Sequence, residues 1–265
     1  MARRSFDQRW ADAVQEELAA EAAGRAGTPA PALAEADLAG LPAPVRRYVT
    51  ASGAVGRPVP RNVRVDCDAV MRRGPGETGM QSTSTQLNGF ARPARLFLMK
   101  ARMYGLPVRA LHLYRGDAAT FQVRVAGLAT IVDMAGDPIS RGETVTVLND
   151  LCVFAPAAMV DPRLAWEAID DRTAAVVFAN GRWTVRATLL FNERDELVDF
   201  WSDDRPESAD GGLVARRWST PISGYRVIDG LRLPGYGEAV YARPGGLFTY
   251  GEFTIRSIEY DVAVA

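Results

Sequence analysis

The second half of the chain is an unbroken series of strand signals. LAWEAID, AAVVFANG, RWTVRATLLFN, ELVDFWSDD, LRLPGYGEAVYA and FTYGEFTIRSIEYDV follow one another, separated by turn residues. Asn180-Gly181 and Asp229-Gly230 suit two-residue hairpin turns, because both residues of each pair tolerate positive φ. The same pattern begins earlier, at NVRVDCDAVM from Asn62, and runs through MQSTSTQL, ARLFLMKARMYG, RALHLYRG and ATFQVRVAG. No strand–helix–strand alternation occurs, which argues against a doubly wound parallel sheet. A single helix signal interrupts the series: Ser140 and Glu143 form a capping box, and Val145, Leu148, Leu151 or Cys152 follow at helical spacing.

Open sheets of about ten strands usually curl. The expected fold class is therefore α+β: a large, curved, mainly antiparallel sheet, an open half-barrel, wrapped on the one inserted helix. Two helices precede it. Ser5 and Gln8 cap the first, with Phe6, Trp10, Ala13, Val14 and Leu18 on one stripe, and it ends at Gly24 to Gly27. The second is LPAPVRRYVTASG, with Pro44 in its first turn. Between them TPAPALAEAD reads as a linker. The expected organisation is an N-terminal helix and linker over 1–40, then one curved-sheet domain over 41–265.

Composition removes whole classes of chemistry. His112 is the single histidine, and all but Lys100 of the 31 Lys+Arg residues are arginine. A zincin helix needs two histidines, and a P-loop needs Lys directly after Gly, whereas Lys100 follows Met99. No metal site and no cofactor are expected. Acidic residues number 32, so the net charge is −1 and a nucleic-acid partner is not indicated. No apolar run approaches the length of a membrane-spanning helix. Asp7, Asp12, Glu16 and Glu17 interrupt what would be a signal-peptide core, no Asn-x-Ser/Thr sequon occurs, and Cys67 and Cys152 form no CxxC. These features point to the cytoplasm.

The chain resembles an uncharacterised bacterial family of unknown function. The residues that carry the resemblance are LPAPVRRYV at 41–49, the Tyr114-Arg-Gly116 turn, Pro156-Ala-Ala158, and Trp218…Tyr225…Gly230-Leu-Arg232-Leu-Pro234 before a final aromatic strand. It covers roughly Leu41 to Tyr260. Family members often carry an acidic residue where this chain has His112, and a Trp where it has Tyr241. The resemblance implies a fold and boundaries but no activity. Its layout looks similar to that of curved-sheet lipid carriers.

The candidate site follows from strand alternation. A curved sheet that its helix does not fill opens a pocket lined by inward residues. Trp201, Trp218, Tyr225 and Tyr241 are the expected lining. Asp199, Trp201 and Asp203 share one face, and a carboxylate beside Trp in a half-buried strand needs a partner. Arg205, Arg216 or Arg217 could supply it. Asp203 and Arg205 would then orient the polar end of a ligand. His112 lies opposite Leu111 and Leu113, so leucines facing a core would leave it on the polar side. Lys100 reads as a surface residue. Asp66 and Asp68 share a face with Arg64 and read as a solvated edge. Glu238 and Glu252 could extend a polar centre.

Two functions fit. The first is binding of a small hydrophobic or lipid-like molecule. The alternative is a cofactor-independent isomerase, cyclase or hydrolyase acting on an apolar metabolite, with Asp203, His112 and Tyr114 moving protons. A purely structural module remains if the helix fills the sheet.

Overall fold

The computed structural model describes residues 4–24, 31–209 and 212–264. It has three α-helices: α1 (Phe6–Ala23), α2 (Ala43–Ala51) and α3 (Asp137–Phe154). The first six strands are β1 (Asn62–Met71), β2 (Met80–Gly89), β3 (Ala94–Met103), β4 (Leu106–Arg115), β5 (Ala118–Val125) and β6 (Ala129–Ala135). After α3 come β7 (Leu164–Ala168), β8 (Thr173–Asn180), β9 (Trp183–Phe191) and β10 (Leu197–Ser202). Six short strands follow: β11 (Glu207–Ala209), β12 (Gly212–Val214), β13 (Trp218–Ser219), β14 (Ile222–Ser223), β15 (Arg226–Ile228) and β16 (Leu231–Leu233). Two long ones close the chain, β17 (Tyr236–Arg243) and β18 (Gly246–Tyr260).

The main sheet runs β6-β5-β4-β3-β2-β1-β18-β17-β13-β10-β9-β8-β7. All its pairings are antiparallel, and it curls through 256° into a half-barrel. The expected fold class is therefore the observed one. The topology explains the inserted helix. β6 and β7 are the two edges of the sheet, and α3 is the connection between them. It must cross the concavity from one edge to the other. Register shifts at Asp66/Cys67, Leu197/Asp199 and Ala239/Val240 are bulges that help bend the strands.

α3 begins earlier than its capping-box signal. Gly136, at φ 96°, is the N-cap, and Pro138 stands in the first turn. Ser140 is inside the helix, where its hydroxyl donates to Gly136 O and accepts from Ala119 N, both at 2.9 Å. Glu143 is thereby released from any capping role. Thirteen of the helix's residues are buried, Glu143 through Val153 in one run.

The Ser5 cap of α1 holds, its side chain accepting from Gln8 N. The helix lies on the convex face of the sheet, and not at its mouth. Phe6 packs with Leu98 and Leu111, and Trp10 donates to Leu96 O at 2.9 Å. Residues 25–30, which include most of the expected helix end and the start of the linker, lie outside the described residues. From Ala32 the chain is packed: Leu33 and Leu38 are buried in the main core. α2 docks against the far end of α3, where Tyr48 donates to Cys152 O at 3.0 Å and packs on Phe191.

Two faces of β3 and β4 are thus covered, the convex one by α1 and the concave one by the core. Phe6→Ala should uncouple α1 and lower the unfolding free energy by about 3 kcal/mol, measured by urea denaturation.

Candidate functional site

The concave face carries polar groups on three neighbouring strands. Ser84, Gln86 and Asn88 of β2, Arg95 of β3 and His112 of β4 all face α3, which presents Glu143 and Asp150 to them. Burying a charge without a partner is costly, so these groups interlock. Arg95 donates to Asp150 at 2.8 Å, to Glu143 at 3.2 Å and to Gln86 at 3.1 Å. Gln86 and Asn88 each donate to the same Asp150 oxygen at 3.1 Å. The Arg95 guanidinium also lies 4.7 Å from the centroid of the Phe97 ring.

A second guanidinium enters from the opposite side. Arg205 follows β10 and turns inward, donating to Thr146 Oγ1 at 3.0 Å and to the Tyr241 hydroxyl. It rests on the Trp218 ring at 4.6 Å and reaches within 4.0 Å of Glu143. Tyr241 stacks on Tyr250, whose hydroxyl accepts from Trp218 Nε1 at 3.0 Å.

Of these groups, Ser84, Gln86, Arg95, His112, Glu143, Thr146, Asp150, Arg205, Trp218 and Tyr250 line an open cavity of about 220 Å³ between α3 and the sheet. Its walls are mainly apolar, with Met71, Phe97, Met99, Ala110, Phe253 and Ile255 among them. A second cavity of about 340 Å³ adjoins it and shares His112, Phe121, Glu143, Arg205 and Tyr250. The inserted helix therefore fills only part of the concavity.

The electrostatics of the floor are set by burial. Burial pushes the His112 imidazole down to about 4; Arg95 and Arg205 act in the same direction, and Glu143 opposes them. Burial acts to raise the Glu143 carboxyl, but the charges of His112, Arg95 and Arg205 outweigh it and hold it at about 2. At neutral pH the imidazole is uncharged, so the two guanidiniums are what keep Glu143 ionised. Asp150 is shifted upward by burial, against the pull of Arg95. His112 Nε2 stands 3.5 Å from Glu143 Oε2 and is buried without a hydrogen-bond partner.

The structure brings together His112, Arg205, Trp218 and Tyr241 and places the other expected site residues elsewhere. His112 reaches the cavity because Leu111 and Leu113 face α1, not the concave core. Where both faces of a sheet are covered, alternation separates two interiors, and the polar side is the inner one. Asp203 is two-thirds exposed and forms a bidentate pair with Arg217, not with Arg205. The chain bends after Ser202, so Asp203 points outward and Arg205 inward. Trp201 shares the outer side with Asp203 and Arg217 in a separate open groove. Tyr114 is fully buried and joins Thr144 of α3 at 2.9 Å to Asn180 of β8 at 2.6 Å. Tyr225 donates to Leu197 O at 2.8 Å, away from the cavity lining. Lys100 pairs with Asp7 of α1, Arg64 with Asp66, and Arg256 with Asp68, all on the convex side. Glu238 lines the cavity, whereas Glu252 pairs with Arg72 at 2.6 Å.

Sequence reasoning missed Arg95, Glu143, Asp150 and Gln86. One signal could have found the acids. A helix inserted inside a curved sheet is buried all round, so an acid in its middle must face a buried base.

A pH dependence follows. Between the usual histidine value of 6.5 and about 4, the unfolded chain takes up a proton at His112 that the folded chain refuses. Between 4.5 and about 2 the same holds at Glu143. Both contributions to stability are complete above these windows and are lost as pH falls through them. Asp199, pushed up to about 6 by burial, acts in the opposite direction. The difference between the wild-type protein and His112→Gln isolates the histidine term. The Tm of the wild type should fall relative to that of the variant as pH drops from about 6.5 to about 4.

Comparison with known proteins gives a family. No curated protein matches. A putative outer membrane lipoprotein-sorting protein domain from Vibrio parahaemolyticus aligns at TM-score 0.44 and 8% identity, covering 77% of this chain and 87% of that one. A LolA superfamily protein from Nitrosomonas europaea aligns at TM-score 0.42 and 11% identity, covering 81% and 92%. A family model matches residues 31–253. The chain belongs to that family, a family of unknown function (DUF6544).

Proposed function

We propose that this protein binds a small amphipathic, lipid-like molecule in the cavity between α3 and the sheet. The observation that carries the reading is the cavity itself: open, walled mainly by apolar side chains, and floored by Arg95, Glu143, Asp150, His112 and Arg205. Sites for small molecules have this composition, an apolar body with a few placed polar groups. Trp218 lines the cavity beneath Arg205, and Tyr241 holds Arg205 from the adjoining one. Among the described residues no helix is long and apolar enough to cross a membrane. The cytoplasm is the compartment we assign to this binding, and the free, buried thiols of Cys67 and Cys152 suit it.

The catalytic alternative has one observation in its favour: His112 and Glu143 converge in the cavity. Asp203 and Tyr114 do not join them. An imidazole held near 4 is a weak base at neutral pH, which favours binding over proton transfer.

Native mass spectrometry of the protein purified from its own host should show an adduct of lipid-like mass. Ala110 lines the cavity wall on β4, so Ala110→Phe should fill the space. This variant should weaken binding of the neutral probe N-phenylnaphthylamine by about tenfold or more, with Tm unchanged or raised. Unaltered probe binding, together with only ligand-free protein in the native spectrum, would remove the reading.

A further inference from the structure

The cavity's charges decide what kind of polar end it can hold. Its charged lining is Arg95 and Arg205 against Glu143, Asp150 and, at the mouth, Glu238. The two cations do not outnumber the anions. Both guanidiniums are also already engaged. Arg95 spans Asp150, Glu143 and Gln86, and Arg205 is held by Thr146 and Tyr241 and stacked on Trp218. A carboxylate or phosphate entering here would meet no net positive charge and would lie beside Glu143.

Among the described residues that line this cavity, one buried side-chain polar atom is left over. His112 Nε2 is buried with no hydrogen-bond partner, 3.5 Å from Glu143 Oε2 and so beyond a good hydrogen bond. The ring is fixed against Phe121, with centroids 5.0 Å apart. An unsatisfied buried polar group is expensive, and a ligand atom that satisfies it gains affinity. The neighbouring carboxylate is an acceptor only, so a ligand atom touching both groups must carry a hydrogen. A carbonyl oxygen fails this requirement. A hydroxyl meets it, donating to Glu143 and accepting from the imidazole N–H, whereas an ammonium can donate to Glu143 but has no lone pair to accept from that N–H.

Resting on the binding reading, we infer that the cavity's ligand is an uncharged, alcohol-ended amphiphile, with its hydroxyl seated between His112 and Glu143 and its chain along the apolar wall. His112 is then the residue that sets head-group specificity. The neutral imidazole and ionised carboxylate at physiological pH support this pairing.

The test compares decanol, decanoate and decylammonium by quenching of tryptophan fluorescence near neutral pH. Decanol should bind at least about tenfold more tightly than either ion. His112→Phe, which keeps the ring volume, should abolish that preference, and His112→Gln, which keeps a hydrogen-bonding group, should retain part of it. Comparable or tighter binding of decanoate or of decylammonium overturns the alcohol assignment and leaves the binding reading standing. Retention of the full preference in His112→Phe also overturns it. Should that variant not fold, His112→Gln decides alone: a reduced preference supports the assignment, and a full preference or none overturns it. If none of the three probes binds and the native spectrum shows no adduct, the binding reading itself fails.

Discussion

The contact between Arg95 and the two acids of α3 is the interaction on which the architecture turns. The topology obliges α3 to cross the inside of the curled sheet, from the edge at β6 to the edge at β7. A helix placed there has no solvent-facing side to receive Glu143 and Asp150. Removing one member of such a buried set leaves an uncompensated charge, a loss of about 3–5 kcal/mol. The set therefore fixes where the helix sits and how far it is rotated. Tyr114 adds a second tie, bonding Thr144 of α3 and Asn180 of β8 with one hydroxyl.

This attachment also explains why a cavity remains. The helix is held to β2, β3 and β4 at its polar positions and to α2 through Cys152. It cannot move towards β17 and β18 without breaking these bonds. The concavity near those two strands is instead lined by Phe253, Ile255 and Ala239. Long side chains from both walls narrow this space without filling it. The polar set that anchors the helix is thus also the floor of the cavity.

Much of the fold was legible because it depends on local rules. Strand runs, the Asp229-Gly230 turn, the absence of βαβ units and the single mid-chain helix signal all act within a few residues; the Asn-Gly signal fell one residue early, since Asn180 still pairs with Trp183 and the turn is Gly181-Arg182. The half-barrel follows from them. The site was less legible because it depends on which interior a side chain faces. Alternation placed His112 opposite Leu111 and Leu113 correctly, but could not show that α1 covers the leucines. Asp203 and Arg205 are two residues apart, yet a bend after Ser202 sends them to opposite sides of the sheet. Glu143 matched a helix cap in spacing, and only the earlier start at Gly136 turns it into a buried carboxylate. The chain's one histidine and one lysine were informative in different ways. Lys100 lies at the surface, as expected, whereas His112 became the unpaired group at the cavity floor.

The residues that carry the family resemblance divide unevenly between scaffold and site. Tyr48 of LPAPVRRYV bonds the end of α3, Ala157 and Ala158 pack in the core, and Leu231 and Leu233 do the same. Arg232 donates its backbone N–H to Ser52 O at 2.9 Å and pairs with Glu196. Of these motif residues, Trp218 and Pro234 line the cavity between α3 and the sheet. His112 and Tyr241 both meet the polar floor: one faces Glu143 and the other holds Arg205. The neutral imidazole at position 112 puts no further negative charge beside Glu143 and leaves an uncharged hydrogen-bonding atom at the floor. The residue at position 112 can therefore set the floor's chemistry without carrying the helix attachment, because Arg95, Gln86 and Asn88 hold Asp150 independently of His112.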